Sequence, residues 1–192
     1  MSKLSTTSDD ILNCAQTLIM KGGYNGFSYA DIAEVVGIRK ASIHHHFPSK
    51  AALVRALISR YRADARDGFK QLETMTSNPH EQLRLYLRYW QKCLLDGTAP
   101  ICICALLAGE LPVLPPEVAT EVRLHFQTLS NFLTGILERG SDHGALRLSD
   151  TPSAEAEAFM ATVHGGMLSA RVGGDSKLFG TITTALLARL TK

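Results

Sequence analysis

The sequence predicts an all-α chain, and three observations carry that expectation. No stretch alternates apolar and polar residues at a period of two over a useful length. Apolar residues recur instead at helical spacing, and Gly and Pro punctuate the chain between those runs. Residues 28–50, SYADIAEVVGIRKASIHHHFPSK, set two short helical patterns on either side of a glycine turn.

Helices are expected near 8–21, 28–36, 39–46 and 50–75. Ser28 precedes the second, where its hydroxyl can accept from free first-turn N–H groups, and Asp31 can reach back in a variant of the capping box. Ile32, Val35 and Val36 give that helix an inward face, and Gly37 ends it in the left-handed conformation. Ile38 points inward, and Arg39 opens the third helix. Ser49 caps the fourth, which starts at Lys50. The Ser77-Asn78-Pro79 break leads to a helix at 79–95 with an apolar stripe of Leu83, Tyr86, Leu87, Trp90 and Leu94. Gly97 and Pro100 break it. ICICALLAGE, 101–110, is expected to be a buried helix. Pro116 stands in the first turn of a helix over 116–139, and 140–149 is a loop. Helices at 152–171 and 175–190, separated by Gly173-Gly174, complete nine.

The helix-turn-helix pattern is the build of a DNA reader, with Arg39, Lys40, Ser42 and three imidazoles on its second helix. Charge agrees. Residues 1–62 carry a balance of +4 and the remainder −2, against +2 overall. The 45% apolar content excludes a disordered chain, no run of about 18 apolar residues suggests a membrane span, and MSKLSTTSDD lacks the apolar core of a signal peptide. A cytoplasmic location is expected, with no membrane partner. Cys14, Cys93, Cys102 and Cys104 have neither disulfide-framework nor zinc spacing and are expected to be free thiols.

Residues 37–53, GIRKASIHHHFPSKAAL, resemble the signature of the TetR family of transcriptional repressors, as do the first helix around ILNCAQTL and the GGYNGFS bend. The resemblance covers about residues 8–60. Arg39 stands where the family often has a small residue, and His44 where it usually has tyrosine. The resemblance implies an N-terminal three-helix DNA-binding domain over 1–48 and a six-helix ligand-binding and dimerisation domain over 49–192. It also implies a homodimer on a palindromic double-stranded DNA operator, contacted by Ser28, Tyr29, Arg39, Lys40, Ser42, His44, His45 and Lys50. Lys50 would meet the DNA backbone, and His46 would pack inward beside Phe47.

His44-His45-His46 also invites a metal. Consecutive helical residues point about 100° apart, so three in a row cannot converge on one ion. A helical metal pair needs i, i+4 spacing. No metal and no cofactor are expected.

Residues 102–110 fit the motif of a family branch with a cysteine at the start of the central helix, at Cys102, Leu107, Ala108 and Glu110. A thiolate at a helix N-terminus is stabilised by the dipole, which would suit sensing of an electrophile or oxidant. The alternative is a small buried hydrophobe. Glu110 reads equally as a solvated helix end or a polar pocket anchor. Together with apolar stripes at 83–94 and 122–133, these residues predict an effector cavity walled by Tyr86, Trp90, Cys102, Leu106, Glu110, Phe126, Leu129 and Leu133. The effector would be small and mostly apolar or electrophilic, its polar group met by Glu110 or His125.

Small residues crowd 154–170. With the last helix they suit either an intrachain hairpin or half of a four-helix dimer bundle. The resemblance implies the bundle, with Ala161, Gly165, Gly166, Ala170, Phe179, Ile182 and Leu186 at the interface. The expected function is a ligand-responsive repressor. The alternative is an all-α small-molecule carrier or enzyme using the same cavity. GxSxG, HExxH, paired-carboxylate and phosphate-loop motifs are all missing from the sequence, so no enzyme is expected.

Overall fold

A computed structural model describes residues 7–191; residues 1–6, part of the segment read above as lacking a signal core, lie outside it. Among the described residues are nine α-helices: α1 (Thr7–Gly22), α2 (Tyr29–Val36), α3 (Lys40–His46), α4 (Lys50–Met75), α5 (Pro79–Asp96), α6 (Ile103–Ala108), α7 (Pro116–Asp142), α8 (Pro152–Gly173) and α9 (Lys177–Arg189). A 3-10 turn, Leu111–Val113, follows α6. No described helix is long and apolar enough to cross a membrane.

Local chemistry sets most boundaries. Ser28 Oγ accepts from Ala30 N at 3.1 Å, and Asp31 accepts from Ser28 N at 2.6 Å, which completes the capping box. Gly37 ends α2 at φ 74°, where a Cβ would be strained. Ser49 Oγ accepts from Ala52 N at 3.0 Å and caps α4. Two expected boundaries are corrected. The apolar helix spans only 103–108: Gly109 and Pro112 favour a tighter turn at its end, and Cys102 precedes its first residue. Gly140 does not stop α7, which continues to Asp142.

The chain forms two compact units. The first combines Met1–Ala63 with Ile103–His125. The expected division at 48/49 therefore falls within it. Its core gathers Ile11, Ile19, Ile32, Ile43, Leu53 and Val118, all inaccessible to water. Arg60 ties α4 to α1 through Asn13 at 2.7 Å, and Arg62 ties α4 to α7 through Glu121 at 2.9 Å. The Tyr61 and His125 rings meet at 5.1 Å. Val35 was expected inside but is 68% exposed. In an eight-residue helix only Ile32 reaches the centre of the core, and Val36 stays at its margin.

The second unit combines Asp64–Cys102 with Phe126–Lys192. Phe69 and Phe132 stack at 4.0 Å, nearly parallel, joining the later halves of α4 and α7. α8 and α9 form an antiparallel hairpin. A Cβ on Gly166 would stand 3.2 Å from Phe179, so the two helices approach closely there.

Ser28→Ala leaves two first-turn donors of α2 without their cap and should cost about 1 kcal/mol. A lower urea midpoint at unchanged slope checks this.

Candidate nucleic-acid interface

α3 carries only one residue into the core, Ile43, and Phe47 follows it inward. Arg39, Lys40, Ala41, Ser42, His44, His45 and His46 are all exposed. His46 is thus corrected to an outward position. Ile43 and Phe47 lie four residues apart on one stripe, and His46, one residue before Phe47, falls to its side. The exposed surface presents a guanidinium, an ammonium, a hydroxyl and three imidazoles from one short helix and its N-cap. These are the donor types that meet phosphates and base edges in a major groove.

The remaining expected DNA contacts also work within the fold. Ser28 is occupied by its cap. Tyr29 lies edge-on to His44 at 4.7 Å and donates its hydroxyl to Phe47 O at 2.9 Å. Burial pushes its phenol pKa up to about 12. Lys50 donates from Nζ to Phe27 O and stands over the Phe27 and Tyr24 rings, 4.2 and 4.9 Å from their centroids. Burial lowers its pKa, against the opposing pull of Asp31 and Glu110. The lysine therefore clamps the bend before α2, a role that sequence reading missed. Among the described residues no cluster of His, Cys, Asp and Glu could hold a metal.

The expected effector residues divide between the units. Tyr86, Trp90, Cys102, Leu129 and Leu133 are buried in the second; Cys102 is 1% exposed. Burial raises the Tyr86 phenol pKa, with Cys102 adding to the shift. Phe126 is half-buried against the His164 ring at 5.2 Å. Leu106 and Glu110 belong to the first unit. Glu110 is neither a solvated end nor a pocket anchor, because both carboxylate oxygens accept from Tyr24 N at 3.1 Å. His125 packs on Tyr61 in the same unit. Two cavities of about 260 and 370 Å³ occur in the second unit, the former beside Glu155, Leu186 and Arg189 and the latter beside Arg88, Gln91 and Leu95. Neither is lined by the expected effector residues.

The expected dimer residues also divide. Gly166, Ala170 and Phe179 are buried within the α8–α9 hairpin, with Ile182 beside Gly166, and Leu186 lines the smaller cavity. Gly166, Ala170 and Phe179 thus pack within the chain's own hairpin, while Ile182 and Leu186 are only half-buried. Ala161 and Gly165 face outward in a longer exposed series: Ala154, Ala158, Ala161, Gly165, Leu168 and Val172. The steps are four, three, four, three, four, the spacing of a coiled-coil seam. Leu168 and Val172 are 49% and 89% exposed. That spacing is present in the sequence, where a count of small residues alone does not separate this exposed row from the buried one.

Residues 11–57 match the model described as bacterial regulatory proteins, tetR family, and 79–186 match a tetracyclin repressor-like C-terminal domain. A crystal structure of a TetR-family transcriptional regulator from Agrobacterium tumefaciens is similar at 59% identity and TM-score 0.94, over 96% of this chain and 97% of that one. A TetR regulator from Legionella pneumophila is similar at 26% identity and TM-score 0.89, over 99% and 100%. The HTH-type transcriptional repressor NemR of Escherichia coli K12 is 23% identical over 185 residues, 94% of this chain and 90% of that protein.

Tyr29→Phe removes the hydroxyl that holds Phe47 O and should cost about 1 kcal/mol. The raised phenol pKa means the folded chain keeps this proton more tightly than the unfolded chain. Its contribution is full below pH 10 and fades as pH rises towards about 12. Urea unfolding at pH 8 and pH 11 should show a smaller alkaline loss in the variant than in the wild type.

Proposed function

The chain belongs to the TetR family of bacterial regulators, and from that membership we propose that it is a homodimeric repressor. It binds a palindromic operator through α3 and releases it on meeting a small, mostly apolar or electrophilic effector. The observation that carries the DNA reading is the outward face of α3, where every residue except Ile43 is exposed. Arg39, Lys40, Ser42, His44 and His45 meet base edges and phosphates. Ser28, Tyr29 and Lys50 flank them; one Lys50 N–H is spent on Phe27 O, and the other two remain for phosphate. A dimer places two such helices about 34–36 Å apart, in successive major grooves.

The exposed seam of α8 supports the dimer. A row from Ala154 to Val172 at coiled-coil spacing is an apolar face that a second copy covers in register.

The effector reading rests on the buried residues Tyr86, Trp90, Cys102, Leu129 and Leu133 of the second unit, with Phe126 half-buried in the same unit. The Trp90 N–H is buried beside the Tyr86 hydroxyl, a polar pair that a ligand's polar group can join. The Cys102 thiol is shielded, so a reagent that reaches it must be small and uncharged. Binding there shifts α4, which carries α3, and operator and effector weaken each other by one common factor.

Three experiments test this reading. Arg39→Ala or Lys40→Ala should relax sequence preference by about 1–3 kcal/mol at the contacted base pair, read on operator duplexes selected with the wild-type chain. A footprint without inverted symmetry would sink the dimeric reading. Leu168→Glu should give a folded monomer in sedimentation at micromolar concentration, whereas Gly166→Glu should disrupt the hairpin itself and lower the melting temperature. N-ethylmaleimide should release the operator from wild type and not from Cys102→Ser. Equal release from both would remove Cys102 from the switch and leave only a non-covalent effector.

A further inference from the structure

Gly23, Tyr24 and Phe27 form the bend that delivers the chain from α1 into α2, and two opposite charges hold that bend. Lys50, at the start of α4, clamps it through Phe27 O and the two rings. Glu110, two residues past the end of α6, receives Tyr24 N on both carboxylate oxygens at 3.1 Å. The grip is close. Gly23 sits at φ 72°, and a Cβ there would collide with Glu110 Oε1. Tyr24 is itself buried, so its N–H has little water to turn to. The reach from Tyr24 to Glu110 spans 86 residues and is made by a charge-assisted bond, the stronger kind.

From this geometry we propose that Glu110 is the positioning residue of the DNA-reading domain: it latches the α1–α2 bend to α6 and so fixes the direction in which α3 faces. The inference rests on the DNA reading above and adds a second tether to it. The first tether is covalent, through α4. The second is the Glu110 carboxylate, two residues beyond the end of a helix that begins at Ile103, one residue after Cys102. A displacement of α6 then reaches α3 without passing through α4.

The latch acts on orientation rather than on DNA contact, and that separates it from a merely stabilising role. Two half-sites are engaged together only when both reading helices point correctly, and such bivalency supplies roughly 100- to 10,000-fold in affinity. A single half-site makes no such demand. The test uses the full chain and a palindromic duplex selected in vitro with the wild type, together with its single half-site. Glu110→Ala should weaken binding to the palindrome by roughly tenfold, a part of that bivalent gain, and leave the half-site unchanged. Glu110→Gln keeps one amide oxygen as a neutral acceptor and should fall between. Hydrogen exchange at the Tyr24 amide should quicken in Glu110→Ala, with core amides such as Ile32 unaltered. Equal losses on both duplexes, no loss on either, or an unchanged Tyr24 amide would overturn the latch. A wild-type chain that enriches no duplex would overturn the DNA reading and the latch together. A wild type that binds, with variants that bind equally, would overturn the latch alone.

Discussion

A seven-residue helix has no stability of its own in water, since isolated helices below about 12–15 residues are marginal even with favourable sequences. α3 is that short, and it inserts a single residue, Ile43, into the core. Its helicity and its direction are therefore borrowed. The capping box at Ser28 and Asp31 fixes the start of α2, and Gly37 fixes its end. The Tyr29 hydroxyl then holds Phe47 O on the far side of α3. α2 thus grips α3 at its exit as well as at the turn between them. Outward side chains on α3 other than His44, which packs on Tyr29, can be chosen for their chemistry because the helix is held by Ile43, Phe47 O and its turn.

The same logic extends one step outward. α2 is eight residues long and gives only Ile32 to the core, so its placement depends on the bend before it. That bend is gripped by Lys50 and Glu110, an ammonium and a carboxylate from segments far away in sequence. Each binds backbone, which lets them fix the path of the chain whatever side chains it carries. Arg60 and Arg62 add further ties from α4 to α1 and α7. The orientation of the DNA-reading helix is in this sense an electrostatic property of α4, α6 and α7 as much as a property of the helix-turn-helix.

What the sequence revealed follows from the range over which its signals act. Capping at Ser28 and Ser49, the stop at Gly37 and the start at Pro116 are decided within four residues, and all were legible. The helix over 101–110 was drawn too long because its apolar run hides where Gly109 and Pro112 tighten the backbone. The intrachain partners of Lys50 and Glu110 were hidden for a different reason. A charged residue at a helix end has a partner that only the folded chain supplies, and Glu110 finds its own 86 residues away. His46 was placed inward by analogy, whereas the period that buries Ile43 and Phe47 turns it out.

The hairpin of α8 and α9 shows how adjacent small residues can serve opposite faces. Gly166 is buried against Phe179, and Gly165, one residue earlier and about 100° around the helix, is exposed. A stripe defined only by residue size merges the two, because glycine and alanine permit close approach on either side. Periodicity separates them. The row through Ala154, Ala158, Ala161, Gly165, Leu168 and Val172 holds one face, and Val163, Gly166, Met167 and Ala170 hold the other. A helix with two apolar faces must bury both or leave one to water. Leu168 and Val172, standing out from the described surface, mark the face that the chain's own fold leaves open. This is also why charge at Gly166 and charge at Leu168 are different perturbations: the first enters a core the chain builds for itself, and the second enters a surface that the chain's own fold leaves exposed.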